Sequence, residues 1–139
     1  MNKALLDTDI LSEIGKAKDA TVAAHAKTYR RSFAHYTIST VTVMEIVSGF
    51  QRTQAAARLN DFLATLPHME ILPFDQPGAE LAGRIAGDLE RIGQPIGVAD
   101  TMIATIAIEN GLELVTGNTA DFQRVQQLGY PLTLVNWRV

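Results

Sequence analysis

Apolar and polar positions along this chain fall into two kinds of run that take turns. Five short blocks, "KALLD" (3–7), "YTIST" (36–40), "MEILP" (69–73), "LELVT" (112–116) and "PLTLVNW" (131–137), are rich in aliphatic and β-branched residues and are bounded by turn-forming positions. Such blocks predict strands. Between them apolar residues recur at three- and four-residue spacing. That predicts helices from just after Asp7 to about residue 15, and over 19–33, 41–52, 53–66, 77–93, 97–111 and 121–129. The punctuation agrees: Asp19 stands at an N-cap position, Pro67 closes the fourth helix, and Gly93 and Gly111 stand at helix stops. Strands alternating with helices through short loops imply βαβ units, hence a parallel sheet with helices on both faces. No repeat, low-complexity tract or linker interrupts the pattern, so residues 1–139 read as one α/β domain.

In open parallel sheets ligands bind beyond the carboxyl ends of the strands, and this chain puts acids there. In "LLDTDILSE" the first strand runs into Asp7, and a helix pattern begins around Asp9. Asp9 reads as the cap of that helix, which leaves Asp7 at the strand end without a structural duty. Glu45, in "VTVMEIVSGF", has Val41, Thr42, Ser48 and Gly49 as helical neighbours and so belongs to no ion-pair lattice. Asp100 shares a helix face with Ile103, Ala104 and Ala107. The macrodipole favours an anion in that first turn, yet a carboxylate turned toward apolar packing is costly unless a cation meets it. No Lys or Arg lies within 95–110 to do so. Asp121 stands near the start of its helix, with Thr119 as the candidate cap and Asn118 as an alternative oxygen donor.

Carboxylates brought together repel, and either take up protons or bind a cation; oxygen-only donors favour hard ions, Mg²⁺ or Mn²⁺. His25, His35 and His68 are far apart, offer no metal-binding pair, and read as surface or half-buried residues. There is no cysteine, so disulfides and thiolate sites are excluded and a reducing compartment fits. Neither a GxSxG elbow nor a Walker loop occurs. "MNKALL" lacks a leader pattern, and no apolar run approaches the roughly 20 residues of a membrane span, so a cytoplasmic location is expected. The net charge of −3 argues against holding nucleic acid by bulk positive field. Six cations, Lys3, Lys16, Lys18, Lys27, Arg30 and Arg31, nevertheless gather in the first 31 residues, as a solvated helix face or as an anion-facing patch.

"LLDTDILSE", "TVMEIVSG", "GVADTMIATIAIENGLELVTGNTADFQRV" and the closing "LVNW", taken in order, resemble the PIN-domain family, most closely its VapC-type toxin ribonucleases. The resemblance covers essentially the whole chain. It implies a three-layer α/β/α domain with a central parallel sheet, and a Mg²⁺- or Mn²⁺-dependent endoribonuclease. Residue by residue, the family's metal-binding acids fall on Asp7, Glu45, Asp100 and Asp121, with Asn118 the fallback for the last. Thr8 and Thr116 match hydroxyls that orient the acids. Asp9 stands where the family often has Asn, which leaves open a fifth carboxylate. The resemblance further implies a VapB-like antitoxin, an RNA substrate and a homodimer. The apolar residues Leu59, Phe62, Leu63 and Leu66 supply either core or interface.

Two rivals stand beside it. "DTD" also resembles the DxD motif of haloacid-dehalogenase-type phosphatases, but Leu11 stands where those want Thr or Val, and no lysine follows Lys27. A PIN-like module without catalysis is the other, though every matching acid is present.

Overall fold

The computed structural model describes residues 1–139. Every predicted element is present: β1 (Ala4–Leu6), α1 (Thr8–Lys16), α2 (Ala20–Ser32), β2 (Thr37–Ser39), α3 (Thr40–Arg52), α4 (Ala56–Thr65), β3 (Glu70–Leu72), α5 (Gln76–Arg91), α6 (Val98–Glu109), β4 (Glu113–Val115), α7 (Thr119–Gln127) and β5 (Leu134–Val135). The strands are shorter than their apolar blocks because the flanking residues are drawn into caps and turns. The last block shrinks most. Pro131 has no amide hydrogen to give a ladder, Leu132 N–H is taken by Tyr130 O, and Leu132 O accepts from Gln126 Nε2. Helix α4 starts late because Thr53 caps α3 and Gln54 turns left-handed at φ 55°. Pro67 lies in the 3-10 turn Leu66–His68 that follows α4. Gly93 and Gly111 take the positive φ expected of helix stops.

All strands pair in parallel, in the order β3-β2-β1-β4-β5. From β1 the chain builds outward to one side through β2 and β3, then crosses back to add β4 and β5 on the other. The switch point therefore lies between β1 and β4, where Leu6 pairs with Val115. The next residues, Asp7 and Thr116, open into the crevice there.

Side chains alternate across the sheet and divide the interior into two cores. Leu5 and Leu114 face Ile85, Leu89, Ile103, Ile106 and Phe122 from α5, α6 and α7. Leu6 and Val115 face Ile10, Val22, Tyr29, Ile46 and Trp137 on the opposite side. Helix α6 is buried around most of its circumference, from Thr101 through Ala107. By contrast α4 has no fully buried residue and leaves Leu63 43% exposed, so its apolar face is surface rather than deep core. No helix is long and apolar enough to cross a membrane.

Candidate metal centre

The acids at the switch point are set by local structure first. Asp7, not Asp9, caps α1. β1 ends at Leu6, so Asp7 takes the extended geometry of a cap (φ −69°, ψ 159°), and its Oδ1 accepts from Thr8 N at 2.8 Å. Asp9 is already inside the first helical turn. Its Oδ2 accepts from Gly117 N at 2.9 Å instead, crossing to the loop after β4. Similarly α7 is capped at Asn118, and Thr119 is its first helical residue. Asp19 caps α2 as expected, accepting from Thr21 N and Val22 N.

Asp7 is 4% exposed, and Thr116 Oγ1 donates to its Oδ2 at 2.8 Å. The same hydroxyl accepts from Asn118 N at 2.9 Å, which ties the loop after β4 to β1. Glu45 reaches in from α3, where Thr8 Oγ1 donates to its Oε1 at 2.6 Å. The Thr8 hydroxyl hydrogen is engaged with Glu45, so Thr42 donates to Thr8 (2.9 Å) and Ser39 Oγ to Thr42 (3.4 Å), a relay of hydroxyls that ends on Glu45. Asn118 Nδ2 bridges Asp100 Oδ2 (3.2 Å) and Asp121 Oδ2 (3.1 Å). Thr8 and Thr116 thus orient acids as the resemblance implied. Asn118 turns its amide hydrogens, rather than its oxygen, toward the carboxylates.

Burial pushes the Asp7 carboxyl up to about 7 against the Thr116 hydrogen bond, with the charges of Asp9 and Asp100 adding to the rise. Asp100 is raised too, by burial first and then by the charges of Glu45, Asp121 and Asp9. These acids sense one another, and no Lys or Arg forms an ion pair with Asp7, Glu45 or Asp100. No three His, Cys, Asp or Glu side chains are grouped closely enough to hold a metal ion without rearrangement. The donor set nonetheless fits a hard divalent cation. It is all oxygen, and Asp9 Oδ1 is the one buried side-chain polar atom with no hydrogen-bond partner.

The histidines are elsewhere. His25 stacks on Trp137, while His35 and His68 are spatial neighbours after all, His35 Nδ1 lying 2.9 Å from His68 O. Sequence reading missed Arg138, whose guanidinium lies 3.8 Å from Asp9 and 3.9 Å from Glu13 and Asp19. Nothing local in the sequence marks it, because it arrives from the far end of the chain.

The family model described as PIN domain matches residues 4–128. The chain belongs to the PIN-domain family. Among PIN proteins it is 35% identical to the tRNA(fMet)-specific endonuclease VapC of Shigella flexneri, over 90% of this chain and 93% of that one. It is 30% identical to ribonuclease VapC2 of Haemophilus influenzae, again over 90% and 93%. The crystal structure of DNA-bound VapBC from Salmonella typhimurium is similar with a TM-score of 0.80 at 29% identity, covering 99% of both chains. This PIN protein is therefore a VapC-type ribonuclease, a toxin of the toxin–antitoxin class.

Proposed function

We propose that residues 1–139 act as a single PIN domain that hydrolyses RNA phosphodiesters with a divalent cation, Mg²⁺ or Mn²⁺, held by Asp7, Asp100, Glu45 and Asp121. One observation carries this: Asp7 is buried at the sheet's switch point, opposed by the charges of Asp9 and Asp100 and met by no cation of the chain. When bound, the cation supplies positive charge opposite the scissile phosphate and lowers the pKa of an attacking water. The chain's own groups do the rest. Thr8 N–H and Thr116 Oγ1 hold both oxygens of Asp7. Thr8 fixes Glu45 through Oε1, and the glutamate's Oε2 is left to face the cation. Asn118 keeps Asp100 and Asp121 side by side. Water attacks phosphorus in line and gives up a proton to solvent, while the bond to the ribose oxygen breaks and that oxygen takes up a proton from solvent.

The test is cleavage of RNA by the purified chain, with initiator tRNA as the first substrate because a relative is named for it. EDTA is expected to abolish cutting, Mg²⁺ or Mn²⁺ to restore it, and Asp100→Asn to lower it at least about a hundredfold, the loss of one charged ligand. Cutting that persists in EDTA would sink the metal reading.

Lys16, Lys18 and Arg30, with Arg58, rim a groove of about 950 Å³ floored by Leu11, Phe50 and Phe62; Arg31 is not among its lining residues. The basic rim steers RNA phosphate. Reversing Lys16, Lys18, Arg30 and Arg31 to Glu is expected to weaken RNA binding by roughly ten- to a hundredfold and flatten its salt dependence. Metal uptake should stay unchanged; equal RNA affinity would remove the rim from the reading. The same groove, apolar below and with four cations against the one acid Asp61 above, suits an amphipathic, acid-flanked segment of a VapB-like antitoxin in the cytoplasm. A homodimer completes the proposal, using exposed Met44 (57%) and Val98 (77%) beside Glu45 and near Asp100. Light scattering checks it, and a monomer would strike it out.

A further inference from the structure

Asp9 is a half-exposed residue with two unlike oxygens. Oδ2 is committed: it accepts from Gly117 N at 2.9 Å and faces Arg138 Nε at 3.8 Å. Oδ1 is buried and has no partner in the chain. The carboxylate is also immobilised from above. A Cβ added to Gly117 would lie 2.6 Å from Asp9 Oδ2, 2.7 Å from Arg138 Nε and 2.9 Å from Arg138 Cδ. The Arg138 stem and the Asp9 carboxylate therefore rest directly on the Gly117 α-carbon, and glycine is needed for that contact.

An ionised oxygen buried without a donor is costly, and such a position persists where something else satisfies it. A residue needed only to hold the loop would do so with one oxygen and no charge, as Asn does. Here a charge is present, and one guanidinium offsets it together with Glu13 and Asp19. We propose that Asp9 is a further ligand of the divalent cation, contributing Oδ1, while Gly117 and Arg138 act as positioning groups that hold Oδ2 and so aim the free oxygen. The proposal rests on the metal reading above and extends it to this chain's own departure from Asn.

The test locates the ion and weighs the residue. A crystal of the full chain soaked in Mn²⁺ is expected to show an anomalous peak in contact with Asp9 Oδ1 as well as with Asp7 or Asp100. In solution, Mn²⁺ titration followed by electron paramagnetic resonance is expected to show Asp9→Asn weakening binding at least about tenfold, since affinity follows ligand charge. Asn keeps an oxygen for Gly117, so the loop is retained. Mn²⁺ on Asp7 and Asp100 with no contact to Asp9, or Asp9→Asn binding within about twofold of wild type, would overturn this proposal and leave the metal reading standing. A wild-type chain that takes up no Mn²⁺ would overturn both.

Discussion

Asp7→Asn is expected to abolish RNA cleavage while making the metal-free protein more stable. Activity should fall by at least about a thousandfold, the equivalent of losing some 4 kcal/mol of transition-state stabilisation. Stability moves the other way because the Asp7 carboxyl is raised from 3.8 to about 7, first by its burial. Between those values the folded chain holds a proton that the unfolded chain has released. The wild-type protein in EDTA is therefore expected to lose stability as pH rises from about 4 to about 7, by an amount on the order of 4 kcal/mol. A bound divalent cation reverses the trend, since it binds the ionised, folded form. Asn removes the titration and keeps what the fold needs. It caps a helix about as well as Asp, and its amide nitrogen can donate to Thr116 Oγ1. Urea unfolding in EDTA at pH 5 and pH 8 checks this. A wild-type stability that is flat across that range, with no gain for Asp7→Asn at pH 8, would refute the burial account.

The second large effect is structural. Trp137→Ala is expected to cost about 3–5 kcal/mol, the usual range for emptying a buried aromatic site. Trp137 is 2% exposed and packs with Tyr29 at 5.6 Å and with His25 at 6.1 Å between ring centroids. Domains of this size are stable by about 5–15 kcal/mol in total, so the loss is a large share. It also frees Arg138, the next residue, from its place over Gly117. The urea midpoint measures it, with Trp137→Phe as the milder control. A loss under about 1 kcal/mol would mean that the tail is not part of the core.

The acids were legible one by one because each sits at an element boundary that local spacing reveals. Asp100 could be singled out from Ile103, Ala104 and Ala107, and those three are fully buried. The division of labour between Asp7 and Asp9 was not legible. Either residue suits a cap by type, and the choice depends on where the ladder to β4 stops. The same holds for Asn118, which read as an oxygen donor but lends its amide hydrogens to two acids. Likewise His35 and His68 are 33 positions apart in the chain and meet only because β2 and β3 pair.

By itself the sequence determined the succession of strands and helices, and therefore a parallel α/β fold, because burial in either element is a matter of residues two, three or four positions apart. It also placed Asp7 at a strand end and Asp100 and Asp121 at helix starts. Only the tertiary structure decided the order β3-β2-β1-β4-β5, which brings Thr116 to Asp7 and Gly117 to Asp9 across 109 and 108 positions. It likewise decided the arrival of Arg138 from the tail that follows β5. Such contacts follow from sheet order and register, which depend on how whole faces pack together, and no local spacing encodes them.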